Sequence, residues 1–262
     1  MTTNTPFSIS PNPVSLYLTP GIKSVLHKVR YTVDKRQGLT CILGDVGMGK
    51  SSVLRLLYSD YAAREDTIAS LIPSPSYSSD FAFLKGICGD FGLPPKRSLY
   101  DQEQEMRAYL VERFKEKKNC VVFIDEAQKL NSKMLELVRA MLNFETNQHK
   151  LIQLVLAGQL ELKERLLQEK SKALRSRIFA PSVLDPLSLG ETRAMIAFRC
   201  DLGEIQNPFP DAVVEQIYTL TGGIPREILK VCAVAYELAQ LKGQRQVSAD
   251  TLEEAAGEAV LA

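Results

Sequence analysis

The chain has 262 residues, of which 45% are hydrophobic and 24% are charged. Its length allows one large domain or an ordinary domain with a small one, and its composition excludes a disordered chain. The formal net charge of +1 at pH 7 excludes nucleic-acid binding driven by bulk charge alone. The longest apolar runs are strand-sized and the N-terminus lacks a signal-peptide pattern, so we expect no membrane segment.

The cysteines favour a reduced, cytoplasmic protein without a structural metal. They are odd in number, scattered and mostly set among apolar neighbours: Cys41, Cys88, Cys120, Cys200 and Cys232. None forms a metal-ligand pair, and only two histidines are present to supply imidazole.

In chain order, residues 1–20 hold four prolines among Ser, Thr and Asn and predict an extended N-terminal arm. A helical pattern starts at Gly21. Short apolar runs then alternate with amphipathic ones, which predicts a parallel sheet covered by helices on both faces. The predicted strands are residues 39–43, 67–72, 120–124, 151–156 and 179–183, and the predicted helices between them are residues 50–62, 79–91, 101–118 and 132–143.

Beyond residue 186 the pattern is helical only. The predicted helices are residues 188–202, 211–220, 225–241 and 248–259. We therefore predict an α/β domain over residues 21–186 and a small helical lid subdomain over residues 187–262.

A phosphate-binding loop lies between the first predicted strand and its helix. Residues 44–51 fit G-x-x-x-x-G-K-[ST], in which backbone N–H groups turn toward phosphates and the helix N-terminus adds positive charge. Lys50 then reaches the β- and γ-phosphates, and Ser51 places a hydroxyl on Mg²⁺. The alternative is a glycine-rich turn without a ligand. The expected ATP-binding residues are Gly44, Asp45, Val46, Gly47, Met48, Gly49, Lys50, Ser51 and Ser52.

A second motif favours ATP hydrolysis over nucleotide binding alone. The apolar run before Asp125 and Glu126 predicts a buried strand that ends in two carboxylates. Asp125 is expected to hold Mg²⁺ and Glu126 to polarise the attacking water. Carboxylates at a strand end can also merely cap the next helix.

With both motifs, the chain resembles the AAA+ ATPases, and more narrowly their ExeA/GspA-like branch, which includes TnsC- and MuB-like transposition regulators. The resemblance covers nearly the whole chain. It implies that Gln159 is the first sensor and that Arg226, after Gly-Gly-Ile-Pro, is the second. It also implies an arginine finger from a neighbouring copy, with Arg177 as first choice and Arg175 as second. Without the resemblance, a solvated basic helix explains these two arginines.

The resemblance further implies assembly into a ring or helical filament on duplex DNA, with a transposase and a target-selector protein as partners. Candidate DNA contacts are Ser76, Lys85 and Lys150, each of which is otherwise an ordinary surface residue. Two alternatives stay open: an ATPase that assists assembly of a secretion or envelope complex, and a nucleotide-dependent signalling switch.

Overall fold

The computed structural model describes residues 6–261 of the chain. Strands and helices alternate through the first part. In chain order these elements are α1 (Pro20–Asp34), β1 (Leu39–Gly44), α2 (Lys50–Ala62), β2 (Thr67–Ile72), α3 (Asp80–Asp90), α4 (Leu99–Lys115), β3 (Asn119–Ile124), α5 (Ser132–Met141), β4 (Ile152–Gly158), α6 (Leu160–Leu167), α7 (Lys172–Arg175) and β5 (Ser182–Leu184).

Only helices follow: α8 (Leu189–Leu202), α9 (Asp211–Thr221), α10 (Pro225–Leu241) and α11 (Ala249–Leu261). Local sequence explains where several helices begin. Ser79, Ser98 and Asn131 each accept a backbone N–H of the first turn, and Ser188 with Glu191 forms a capping box at the start of α8.

The five strands form one parallel sheet in the order β2-β3-β4-β1-β5. β1, β3 and β4 are buried along their whole length because helices cover both faces. This arrangement and the helical C-terminal region confirm the predicted α/β fold class.

The fifth strand differs from its prediction. Residues 179–183 were expected to be extended, but β5 comprises only Ser182–Leu184. Phe179 donates its N–H to Leu39 at 2.7 Å, after which the pairing is interrupted. Ala180 has a positive φ of 47°, and Pro181 has no N–H to donate, so the ladder resumes only at Ser182.

The chain divides into two compact units. One comprises residues 20–45 and 50–184 and contains the sheet. The other comprises residues 6–19, 46–49 and 185–261 and contains the last four helices. No helix within the described residues is long and apolar enough to cross a membrane.

The described part of the N-terminal arm packs into the helical unit. Phe7 is only 2% exposed and makes edge-on contacts with Phe209 and Tyr236, at centroid distances of 5.5 and 5.9 Å. The guanidinium of buried Arg199 donates to the carbonyl oxygens of residues 6 and 8. Residues 6–19 of the predicted extended arm therefore pack against the helices of this unit, and residues 1–5 of that arm lie outside the described residues.

All five cysteines are buried and free of disulfides. Burial raises the pKa of Cys41 and of Cys120 to about 12, which keeps both thiols protonated at neutral pH. These side chains fill the core and are not reactive groups.

Candidate functional site

The phosphate-loop motif lies between the end of β1 at Gly44 and the start of α2 at Lys50. Gly47 and Gly49 have φ values of +82° and +88°, which L side chains rarely adopt. These two positions require glycine for the tight turn, as the motif predicts.

Lys50 is held over this loop. Its side chain is only 8% exposed, and Nζ donates to the carbonyl oxygens of Gly44 at 3.0 Å and Asp45 at 2.7 Å. Its ammonium is therefore a fixed positive charge beside the turned backbone of the loop. Half-buried Ser51 and Ser52 follow in the first turn of α2.

Within the helical unit, the tip of the loop contacts the start of α10. The backbone N–H of Arg226 donates to the carbonyl oxygen of Gly47 at 3.2 Å. A Cβ at Gly47 would lie 2.9 Å from Cγ2 of Ile224 and 3.1 Å from Cβ of Arg226. The sequence Gly-Gly-Ile-Pro-Arg thus places the backbone of Arg226 against Gly47.

Strand order brings the remaining candidates to one edge of the sheet. β4 lies between β1 and β3, and all three strands are parallel, so the phosphate loop, Gln159 and the two carboxylates follow the same ends of neighbouring strands. At about 4.8 Å between strands, the ends of β1 and β3 are roughly 10 Å apart, with Gln159 between them.

Asp125 and Glu126 form a tight turn directly after β3. Asp125 is 7% exposed, its N–H donates to Ile72 at 2.9 Å, and its Oδ1 accepts the N–H of Glu126 at 2.8 Å. Glu126 has a φ of 52°, in the left-handed region. A non-glycine residue rarely adopts this conformation, and such strain is concentrated at functional sites.

Gln128 is a site residue that the sequence reasoning missed. Its Nε2 donates to Oε2 of Glu126 at 2.8 Å, and its Oε1 accepts the backbone N–H of Gln159 at 3.1 Å. The signal in the sequence was a polar residue just after the two carboxylates. Its partner, Gln159 directly after β4, could not be known without the fold.

Arg165 of α6 supports the same turn. Its guanidinium donates to the carbonyl oxygens of Gln128, at 2.8 Å, and Leu130. The backbone after β3 is thus tied to α6. No helix was predicted around Arg165, so this support was missed too.

The two finger candidates are bonded back onto their own chain. Nη1 of Arg175 donates to the carbonyl oxygens of Leu166 and Leu167 at the end of α6, at 3.1 and 2.7 Å. Nη1 of half-buried Arg177 donates to the carbonyl oxygen of Arg139 in α5, at 2.7 Å. Arg175 thus makes two helix-capping bonds and Arg177 makes one.

The three candidate DNA contacts do not form one surface. Ser76 follows β2, whereas Lys150 precedes β4, and the strands are parallel, so the two residues lie at opposite edges of the sheet. Strands of this length span roughly 20 Å. Lys150 is paired with Glu145, and Nζ of Lys85 lies 4.3 Å from the ring centre of Phe81. Their roles as DNA contacts stay predictions.

The sequence profile of the family described as "AAA domain" matches residues 33–166, just over half of the chain. General secretion pathway protein A from Aeromonas hydrophila is 34% identical over 250 residues, which cover 92% of this chain but 44% of that protein. The chain therefore spans less than half the length of this curated relative.

Solved structures with low sequence identity share the fold. Cdc6p from Pyrobaculum aerophilum has a TM-score of 0.73 and 16% identity, covering 98% of this chain and 71% of that one. The ORC1 protein from Aeropyrum pernix, solved in complex with DNA, has a TM-score of 0.69 and 16% identity, covering 98% and 69%.

Proposed function

The chain belongs to the AAA domain family, and on that premise we propose that it binds ATP with Mg²⁺ and hydrolyses it in an assembly of several copies. The observation that carries this proposal is the arrangement of β1, β4 and β3. Their neighbouring ends are followed by the phosphate loop, Gln159 and the Asp125–Glu126 pair.

Nucleotide binding falls to the loop and the first turn of α2. Backbone N–H groups of residues 45–50 face the phosphates, and Lys50 supplies positive charge to the β- and γ-phosphates. Arg226 is assigned to nucleotide sensing because its N–H bonds the loop residue Gly47.

The oxygen donors of Ser51 and Asp125 fit Mg²⁺, which prefers hard ligands and takes the rest of its shell from phosphates and water. Within the described residues, no group of three or more His, Cys, Asp or Glu side chains could hold a metal without a nucleotide. When bound, Mg²⁺ neutralises charge on the phosphate oxygens.

Hydrolysis falls to Glu126, which accepts a proton from the attacking water as the water oxygen bonds to the γ-phosphorus. The bond between the γ-phosphorus and the β–γ bridging oxygen breaks, and ADP and inorganic phosphate leave. Gln159, which directly follows β4, orients the water and the γ-phosphate, and Lys50 stabilises the charge that develops on the β- and γ-phosphate oxygens as ADP leaves. Arg177 of a neighbouring copy completes the charge stabilisation, with Arg175 as the second candidate.

The test of this assembly is phosphate release measured over a range of protein concentrations. Because the finger comes from a neighbour, the rate per protomer rises with concentration and then reaches a plateau. Lys50→Ala binds ATP at least about tenfold more weakly, since it removes the fixed ammonium. If the hydrolysis rate per protomer stays constant down to concentrations at which light scattering shows a monomer, the proposal of a site shared between copies is wrong.

The client, meaning the assembly on which the ATPase acts, is a separate question. We propose that the chain is an ATPase module that assists assembly of a secretion or envelope complex. The 34% identity to General secretion pathway protein A over 250 residues supports this client. Because more than half of that relative has no counterpart here, this proposal concerns the ATPase module alone.

A DNA-assembled transposition regulator is the second candidate, and the fold shared with an ORC1 protein in complex with DNA supports it. Such a regulator forms a filament on duplex DNA and recruits a transposase and a target selector. Fluorescence anisotropy on a mixed-sequence duplex separates the two clients. We would compare no nucleotide, ADP and a non-hydrolysable ATP analogue, with Lys50→Ala as control.

Tight, length-dependent binding with the analogue alone supports transposition. If the protein binds nucleotide but binds no duplex DNA in any of the three conditions, the result supports the secretion client or a signalling switch. A signalling switch is then identified by slow hydrolysis together with an affinity for a protein partner that differs between the ATP-bound and ADP-bound states.

A further inference from the structure

We infer that Gln128 is a positioning residue for ATP hydrolysis, which holds the carboxylate of Glu126 in place and ties it to the end of β4. This inference rests on the proposed function, because it takes Glu126 as the general base. Gln128 itself touches neither water nor nucleotide in this role and acts through Glu126.

The hydrogen-bond partners of Gln128 fix which way its amide faces. A carboxylate only accepts, so the atom of Gln128 that faces Glu126 must be the NH₂ nitrogen. The backbone N–H of Gln159 only donates, so the atom that faces it must be the carbonyl oxygen. Both contacts, at 2.8 and 3.1 Å, therefore require one and the same amide orientation.

The backbone under Gln128 is also restrained. The residue lies in a 3₁₀ turn, Ala127–Lys129, that begins right after the left-handed Glu126. Arg165 donates to the carbonyl oxygen of Gln128 at 2.8 Å. With its backbone held by α6 and its side chain held by β4, Gln128 can transmit the position of β4 to the carboxylate.

The charged side chain of Lys129 also lies near this carboxylate. Nζ of Lys129 lies 4.0 Å from Oε2 of Glu126 and donates to Oγ of Ser74 at 3.1 Å. Lys129 is about half exposed, so water screens its charge. Its contact is long and flexible, whereas Gln128 makes a short bond of fixed direction, so Gln128 sets the orientation of the carboxylate.

The consequence is kinetic. A general base must lie within hydrogen-bond reach of the water it activates, and a displacement of about 1 Å costs about 100-fold in rate. Nucleotide affinity depends on the phosphate loop and not on this amide. Loss of Gln128 should therefore lower kcat and leave ATP binding nearly unchanged.

Two substitutions separate positioning from a merely structural tie. Gln128→Met keeps the size and removes both bonds. Gln128→Glu keeps an acceptor for the N–H of Gln159 but replaces the donor with a carboxylate that repels Glu126. We expect both to lower kcat by about 10- to 100-fold, with the ATP dissociation constant within about threefold of the parent. Gln240→Met, on the exposed side of α10, is the matched control and keeps the parent kcat.

A double-mutant cycle with Glu126→Gln tests the route of the effect. If Gln128 acts through Glu126, Gln128→Met lowers the residual single-turnover rate of Glu126→Gln by less than about twofold. A full 10-fold loss in that background overturns the inference, as does a parent-like kcat for Gln128→Glu. A parent-like rate for Glu126→Gln itself overturns the proposed function as well, so the two failures are distinguishable.

Discussion

Arg175 and Arg177 lie two residues apart in the chain and make different contacts. Alanine at each position separates a role in stability from a role as the arginine finger. Arg175 donates to the last two carbonyl oxygens of α6, at 3.1 and 2.7 Å. Those carbonyls have no partner within the helix, and a cation there also complements the helix dipole. Arg175→Ala should therefore lower the free energy of unfolding by about 2 kcal/mol.

Arg177 has one such bond, to Arg139 at 2.7 Å, so Arg177→Ala should cost only about 1 kcal/mol of stability. This is also the bond that Arg177 must release to reach a neighbouring copy. A finger contributes about a thousandfold or more in turnover, equivalent to about 4 kcal/mol. Because the release costs about a quarter of that gain, the bonded-back side chain is compatible with a finger.

The assay pairs phosphate release at high protein concentration with urea unfolding. Arg177→Ala should bind ATP normally and turn over about a thousandfold more slowly. Arg175→Ala should be the less stable variant, with turnover within about threefold of the parent in the absence of urea. The finger would be reassigned to Arg175 by two results together: Arg177→Ala keeps full activity, and Arg175→Ala loses more activity than its loss of folded protein explains.

Mixing two inactive variants tests whether the finger comes from a neighbour. Arg177→Ala keeps an intact nucleotide site, and Lys50→Ala keeps an intact finger. At equal amounts, about a quarter of head-to-tail interfaces join a good site to a good finger, so about a quarter of the activity should return. No recovery from a mixture that does co-assemble refutes a finger in trans.

Two further substitutions test the packing of the helical unit at Phe7 and at Gly47. Phe7→Ala should lower the free energy of unfolding by about 3 kcal/mol, because it removes a side chain from a buried aromatic cluster. Ile9→Ala, at a half-exposed position, should change the free energy of unfolding by less than about 0.5 kcal/mol. Equal effects of the two substitutions in urea unfolding would contradict the packing of the arm. Gly47→Ala should weaken ATP binding at least about tenfold, because a Cβ there meets Ile224 at 2.9 Å with φ at +82°. Gly190→Ala, with open space around it in α8, should leave binding unchanged, and calorimetric titration compares the two.

The sequence predicted most of the sheet because its strands rest on local patterns. Apolar runs located the first four strands and overlapped β5 at only two residues, and the loop motif located the turn between β1 and α2. The phosphate loop and the two carboxylates follow strands whose neighbourhood is fixed by the parallel fold. Hence Lys50 and Asp125 could be assigned to one site before the fold was known, although their roles stay predictions.

Other features depend on tertiary contacts that no local pattern reveals. Proline-rich composition predicted an extended arm, but it did not reveal that Phe7 of that arm is buried among the helices. The contact between Gln128 and β4 joins positions 31 residues apart. The positions of Ser76 and Lys150 at opposite edges of the sheet likewise follow from strand direction, which the residues themselves do not reveal.

The central claim is that this site hydrolyses ATP with Glu126 as the base. Single-turnover phosphate release from γ-labelled ATP with Mg²⁺, at saturating protein, tests it most directly when the parent is compared with Glu126→Gln. We predict that the variant binds ATP within about threefold of the parent and releases phosphate at least about 100-fold more slowly. Equal release rates, or a parent that binds ATP and never releases phosphate, would contradict the claim.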